Sequence, residues 1–522
     1  MPHRCTELFL HPDRSGGIVT LTRDEFDALA LDHAVIPVTR TLFADAETPM
    51  GVYRKLAFDR PGSFLLESAE QGVWSRFSFV GISSFGLLTA RDGATDWLDF
   101  GLSRARAFGD DVERTPLEAL AHLQSRWSTP RIPGLPRFTG GLVGHVGWEA
   151  VRELEHLPNQ KPREINVPDL GFSFASEVIA FDHRAGTITL IATALNDGTE
   201  TLDQLWDGAQ RQLGDMQARL AEPSDSWLAT IDMTAEPKAS ARVEANAFEA
   251  AVQRAQQHII DGDVFQVVLS TRFDVASSAP PIDVYRALRV LNPSPYMYLL
   301  ALEDQDREPY SIVGSSPEAL VTVHEGTATM HPIAGSRPRG HDAASDALLG
   351  DDLLNDPKEV SEHVMLVDLA RNDLQKVCQP GTVQVTEFMA IERFSHIMHI
   401  VSTVEGELST PMNAIDAFRA TFPAGTLSGA PKPRALEIID DLEPAQRGVY
   451  GGVVGYFDFA GDADVAIAIR TVTLRDGYAH VQAGAGLVAD SVPSTELQEA
   501  HNKAAAPLRA VAIANTLRRI TR

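Results

Sequence analysis

Three strand-like runs close together near the C-terminal end constrain this chain more than any other feature. Residues 451–459, 465–474 and 478–483 read as strands, joined through turns at Ala460-Gly461-Asp462 and Arg475-Asp476-Gly477. Both connections place glycine beside aspartate, which is tight-turn chemistry. A parallel pairing needs a crossover of about a dozen residues or more, so the runs predict an antiparallel meander. Elsewhere strand clusters stand apart from helical stretches. The expected class is α+β, layered antiparallel β-sheets flanked by helices.

The 522 residues suit about two to four domains at roughly 150 residues each. Residues 222–245 gather Pro, Ser and charge without a hydrophobic period and read as a connecting segment. They divide the chain into an N-terminal part, 1–235, and a C-terminal part, 245–522. The first part mixes strand-like runs (171–181, 187–194) with a helical stretch (202–220), and its Gly140-Gly141-Leu142-Val143-Gly144-His145-Val146-Gly147 run is too glycine-rich for a helix. That run predicts a strand that another backbone approaches closely. The second part opens with a helix over 247–260, ended by Asp261-Gly262, followed by a strand over 264–273.

Composition narrows the function. Lys and Arg number 45 against 71 Asp and Glu, for a net charge of −26. Such a chain repels nucleic acid and anionic membrane, and an anionic substrate requires a local cationic pocket or a metal. No run approaches the ~18–20 apolar residues of a membrane span, and residues 1–14 lack the apolar core of a signal peptide. Cys5 and Cys378 cannot build a disulfide framework and form no Cys-x-x-Cys pair. A reduced, cytoplasmic location is expected.

Two helices present paired carboxylates. Asp356-Pro357-Lys358-Glu359 reads as a helix start with Asp356 as N-cap and Glu359 closing a capping box, and Glu362 lies one turn further on the same face. A second helix starts at Pro493 and carries Glu496, Glu499 and Lys503 on one face. Converging, they would suit a hard divalent cation such as Mg2+; first-turn glutamates also simply complement the helix dipole. His399 lies between apolar neighbours in Ile397-Met398-His399-Ile400-Val401, as a core residue or as a group facing a pocket. Ala466, Ala468 and Arg470 share a face by period two, which either leaves room for a carboxylate under the guanidinium or packs against a helix. Gly484-Ala485-Gly486-Leu487-Val488-Ala489 matches Gly-x-Gly-x-x-Ala, but 506–510 reads Ala-Pro-Leu-Arg-Ala where the acidic residue of a dinucleotide site belongs. NAD is rejected, while free N–H groups there still suit an anion. Gly425 to Lys432 lacks P-loop spacing.

Several motifs occur together in one order: Pro332-Ile333-Ala334-Gly335-Ser336-Arg337-Pro338-Arg339-Gly340, Glu362-His363 through Asp373, Gly425 to Lys432, Tyr450-Gly451-Gly452 and Gly484 to Gly486. In them the chain resembles the chorismate-utilising enzymes and, among these, the anthranilate synthase component I family, over about residues 39–506. The resemblance implies the chorismate-utilising enzyme fold and an Mg2+-dependent lyase. Ammonia adds at C2 of chorismate, the C4 hydroxyl leaves, and pyruvate is eliminated to give anthranilate, in tryptophan biosynthesis. It implies Glu362 and Glu499 as metal ligands with Glu359 and Glu496 behind them. Tyr450, Arg470 and the N–H groups of Gly484, Ala485 and Gly486 would hold the enolpyruvyl carboxylate, Gly335 and Ser336 would line the ring site, and Lys503 would join the substrate-binding set. The family more usually has threonine at the position of Ser336. His399 and Thr426 would lie close to the reacting ring, and Glu318 would protonate the departing hydroxyl, which requires a raised pKa.

Two positions bear on which relative this is. Isochorismate and salicylate synthases carry a water-activating lysine where this chain has Gln266; aminodeoxychorismate synthases carry a nucleophilic lysine where it has Ala334. The resemblance also implies a glutamine amidotransferase partner in a hetero-oligomer, two of each being one arrangement, because neither cysteine sits in a glycine-flanked elbow. Leu65-Leu66-Glu67-Ser68 and Asn292 to Tyr298 resemble the tryptophan feedback site, with Ser68, Pro295, Tyr296 and Met297 at the inhibitor. The alternatives are an aminodeoxychorismate synthase component and a non-catalytic, tryptophan-binding regulatory subunit.

Overall fold

The computed structural model describes residues 11–12, 18–19, 21–68, 76–223, 227–393 and 397–520; Cys5 lies outside them. The tight turns near the C-terminal end do make antiparallel pairs. Val453–Asp458 pairs with Ala463–Ile467, and Thr471–Arg475 pairs with Tyr478–Leu487. The expected single strand over 465–474 is instead two strands. Arg470, at the break, has φ 53°, a left-handed conformation that ends strand geometry for a residue with a long side chain. The meander is therefore two hairpins, and Arg470 does not continue the face of Ala466 and Ala468.

Sheet pairing crosses the 222–245 seam twice. Gly141–Val146 lies between Val453–Asp458 and Leu170–Asp182, with Gly144 opposite Gly455 on one side and Phe172 on the other. A Cβ on Gly144 would stand 1.9 Å from the Gly171 carbonyl oxygen, so the glycine-rich run is a strand whose backbone is crowded as expected. Ser63–Glu67 pairs with both Tyr296–Glu303 and Phe77–Arg91. The apolar core follows the sheet across the seam: the Phe457 ring meets Phe172 and Phe418, with ring centroids 5.8 Å apart in each pair.

Helices cover the sheet as the α+β class requires. Ala245–Ile260 and Leu202–Ala221 each bury one apolar stripe. Pro357–Gln375 starts as read, with the Asp356 carboxylate accepting from the N–H groups of Lys358 and Glu359. Glu359 does not close the expected capping box; its carboxylate turns to Gly335 and Arg337. Pro493–Ala514 packs along Tyr478–Leu487 and holds Pro507 in its interior. Among the described residues no helix is long and apolar enough to cross a membrane.

Candidate active site

The 357–375 and 493–514 helices come near enough at their first turns for the charge of Lys358 to act on Glu496. Their four glutamates are half-buried. Burial first, and then the neighbouring Glu362, raises the pKa of Glu359. Burial first, with Glu499 adding to it against a Ser491 hydrogen bond, raises Glu496. The outer members have partners. Gln266 Nε2 donates to Glu362 Oε1 at 3.3 Å, and Lys503 Nζ lies 2.6 Å from Glu499 Oε1. Among the described residues no three His, Cys, Asp or Glu side chains gather at metal-binding range.

Lys503 links this acidic end to a polar floor. Its Nζ also donates to the Gly484 carbonyl at 3.1 Å, while Arg470 Nη1 donates to the Lys503 carbonyl at 3.2 Å. Gly484 to Gly486 is not a turn before a helix, as the glycine pattern suggests. It is the end of the Tyr478–Leu487 strand, in register with Gln266–Ala276. In an antiparallel pair a residue turns its N–H and carbonyl to the same side. Because the Gly484 carbonyl faces Lys503, the N–H groups of Gly484 and Gly486 face the site and that of Ala485 faces the neighbouring strand. Two N–H groups of this segment, not three, are thus turned to this side, and crowding keeps Gly484 bare: a Cβ there would stand 2.4 Å from the Leu269 carbonyl oxygen.

Arg470 is largely shielded from solvent, and burial lowers its pKa against the opposing pull of Tyr450 and Glu499. Tyr450 is buried, its phenol pushed up to about 12. Above it lies the Arg447 guanidinium, 5.6 Å from the Tyr450 ring and 4.2 Å from that of Trp148. Arg447 donates to both oxygens of Glu443 and to the carbonyls of Leu427 and Val268. One buried cation thereby ties Tyr450, the loop bearing Thr426 and the strand bearing Gln266.

Glu318 and Thr426 meet directly: Thr426 Oγ1 donates to Glu318 Oε1 at 3.1 Å. Burial pushes the Glu318 carboxyl up to about 7, with Thr426 and Lys503 pulling the other way. A cavity of about 40 Å³ adjoins both, walled by Met330, His331, Leu366 and Leu369, large enough for two or three water molecules at roughly 15 Å³ each. His399 is not a plain core residue. Its Nδ1 meets the Gly335 carbonyl at 2.9 Å, and burial lowers its pKa, with Arg470 adding to the effect. Ser336 lies opposite His399 across a bulge at Gly335. Gly335 has φ 74°, and a Cβ there would meet Glu359 Oε2 at 3.0 Å.

The two motifs expected to form an inhibitor site also come together. Met297 is in register with Glu67, so Ser68 follows beside Tyr296, with Pro295 at the strand's start. Sequence reasoning missed Arg447 and Asp464. Asp464 is the one acid within Ala463–Ile467, a strand otherwise of Ala, Val and Ile, and that contrast was its signal.

Residues 63–509 match the family model described as chorismate binding enzyme. The chain is 50% identical over 511 residues to anthranilate synthase component 1 of Arthrobacter globiformis, covering 97% of this chain and 95% of that one. It is 51% identical over 502 residues to the protein of that name from Mycobacterium tuberculosis H37Rv, covering 95% and 97%. The crystal structure of anthranilate synthase component I from Streptococcus pneumoniae TIGR4 superposes with a TM-score of 0.71 at 35% identity, over 90% of this chain and 99% of that one.

Proposed function

The chain belongs to the chorismate-binding enzymes and, among them, to the anthranilate synthase component 1 family; on that premise we propose that it converts chorismate and ammonia to anthranilate and pyruvate. The observation that carries the chemistry is the Glu318–Thr426 pair. A carboxyl with a pKa near 7 still holds a proton at neutral pH and can give it to a leaving hydroxyl, as a general acid must.

The site residues divide the work. Arg470, with the N–H groups of Gly484 and Gly486, holds the enolpyruvyl carboxylate, and Tyr450 and Lys503 pack around it. Gly335 and Ser336 border the ring. Glu318 donates its proton to the C4 hydroxyl while Thr426 fixes which oxygen carries it. His399, kept neutral by burial, offers the ring a polar but uncharged neighbour. Gln266 bonds Glu362 and cannot act as the base that water would need, so ammonia, with its lone pair already free, is the nucleophile. Ala334 cannot form a covalent adduct, which disfavours the aminodeoxychorismate reading.

Mg2+ fits this donor set. It takes oxygen ligands, retains several waters and binds proteins through one or two carboxylates, which Glu362 and Glu499 supply, one from each helix, once Lys503 gives up Glu499. Glu359 and Glu496 would orient its waters. When bound, the ion neutralises substrate carboxylate charge.

The chain by itself uses ammonia. Cys378 is buried with its thiol pushed up to about 11, unsuited to attack glutamine at neutral pH, so a glutamine amidotransferase partner supplies the ammonia. Tryptophan acts at Ser68 and 295–297 as a feedback inhibitor.

Purified chain incubated with chorismate, ammonium and Mg2+ is expected to develop anthranilate fluorescence. Glutamine in place of ammonium, or a chelator in excess of the metal, should abolish it. A 4-amino product or isochorismate overturns the assignment. Glu499→Gln is expected to lose turnover while keeping its circular dichroism spectrum. Tryptophan should inhibit the wild type and not Ser68→Phe; equal insensitivity removes the feedback reading.

A further inference from the structure

Asp464 stands mid-strand, opposite Tyr456 on one side and Thr322 on the other. Its side chain bonds Tyr296, yet its Oδ1 is buried with no hydrogen-bond partner, and Ser68 Oγ, one residue past Glu67, which pairs with Met297, is in the same condition. Buried acceptors without a donor are costly and uncommon, and two of them around one tyrosine point to an absent donor. The apolar surroundings are aromatic. Phe138 packs 4.6 Å from Tyr456 and 5.5 Å from Phe79, centroid to centroid, and Tyr296 and Leu66 border the same cluster. Arg137 is exposed on this side, close enough for its charge to act on Asp464.

An acceptor carboxylate, a cation and an aromatic wall are the three requirements for recognising an aromatic α-amino acid in its zwitterionic form. We propose that Asp464 receives the ammonium group of the regulatory amino acid, with Arg137 toward its carboxylate and the Phe79–Phe138–Tyr456 cluster toward its ring. The inference rests on the tryptophan reading above and adds the group that reads the amine. Burial pushes the Asp464 carboxyl up to about 6, which still leaves it ionised at neutral pH, as an ammonium partner requires.

Calorimetry on the full chain tests this with three probes: L-tryptophan, tryptamine, which lacks the carboxylate, and 3-indolepropionic acid, which lacks the amine. Wild type is expected to bind tryptophan at least about 30-fold more tightly than 3-indolepropionic acid. Asp464→Asn should shrink that preference to about threefold by weakening tryptophan alone. In wild type, tryptamine should displace tryptophan better than 3-indolepropionic acid does, a comparison that needs no variant. Wild type that binds none of the probes overturns the tryptophan reading itself. Wild type that binds tryptophan, with the preference intact in a folded Asp464→Asn or with 3-indolepropionic acid the better competitor, overturns only the role of Asp464.

Discussion

Glu318 keeps its proton because its carboxylate would be poorly solvated, not because another acid repels it: burial is the leading cause of its raised pKa, and Thr426 and Lys503 both favour the ionised form. The sign for activity follows. The acid form is present below about pH 7 and is lost above it, so the rate of the chemical step should fall with rising pH on the alkaline side. Glu318→Gln should remove that limb and lower kcat about 10²- to 10⁴-fold, as a pH series of both proteins would show. Stability should also fall with rising pH, whereas removing the acid should raise it. A carboxyl raised by burial weakens the folded state as pH climbs from the unfolded value to the folded one, and is neutral in effect below that window. Glu318→Gln is therefore expected to be more stable than wild type at pH 8 by about 1–3 kcal/mol, read from urea melts. A variant both slower and less stable would break the link between the buried acid and the chemistry. At this scale the sequence was legible where residues sit in ordered motifs, as with Glu318, Thr426 and His399. It was silent on Asp464 and Arg447, whose importance lies in which atoms they meet across the chain.

Arg447 shows what holds the elements in place. Its guanidinium is enclosed, bonded to Glu443, whose Oε1 accepts from both the N–H and the hydroxyl of Ser270. Removing one member of a buried pair strands the other. Arg447→Met should cost about 3–5 kcal/mol, while the double change with Glu443→Gln should recover much of it; denaturant midpoints of the three proteins decide this. Equal losses in the single and double variants would mean that packing against Trp148 and Tyr450, rather than charge, is what Arg447 supplies. Element by element, turn chemistry and period located the hairpins and both acidic helices to within a few residues. Period failed at 468–470, where Ala468 N–H bonds Gly452 and Ile469 N–H bonds Ile467. The tight Ile469–Ile467 turn bends the chain just before Arg470, whose backbone is left-handed, a requirement that no alternation of apolar residues records. The same holds for Gly484 to Gly486: the pattern suggests a loop, whereas strand pairing to 266–276 makes these glycines part of a sheet.

At the scale of the whole molecule, the segment 222–245 is recognisable from its composition, but what its two sides share is not. The strand Gly141–Val146 from one side fills the gap between Val453–Asp458 and Leu170–Asp182, and Ser63–Glu67 does the same between Tyr296–Glu303 and Phe77–Arg91. A cut in the connecting segment would leave Val453–Asp458 and Tyr296–Glu303 each with an open edge and would uncover Phe457 and Tyr298, both buried. Each lost aromatic burial is worth about 1.5–3 kcal/mol, and several such losses approach the about 5–15 kcal/mol that holds a domain folded. Neither 1–235 nor 240–522 produced alone is then expected to unfold cooperatively, and the pair co-expressed should recover a single melting transition and ammonia-dependent turnover. The check is calorimetry on each fragment and on the co-purified complex. A 240–522 fragment that melts sharply by itself would show that the C-terminal part completes its own sheet and does not need the strands from the other side of the seam to fold.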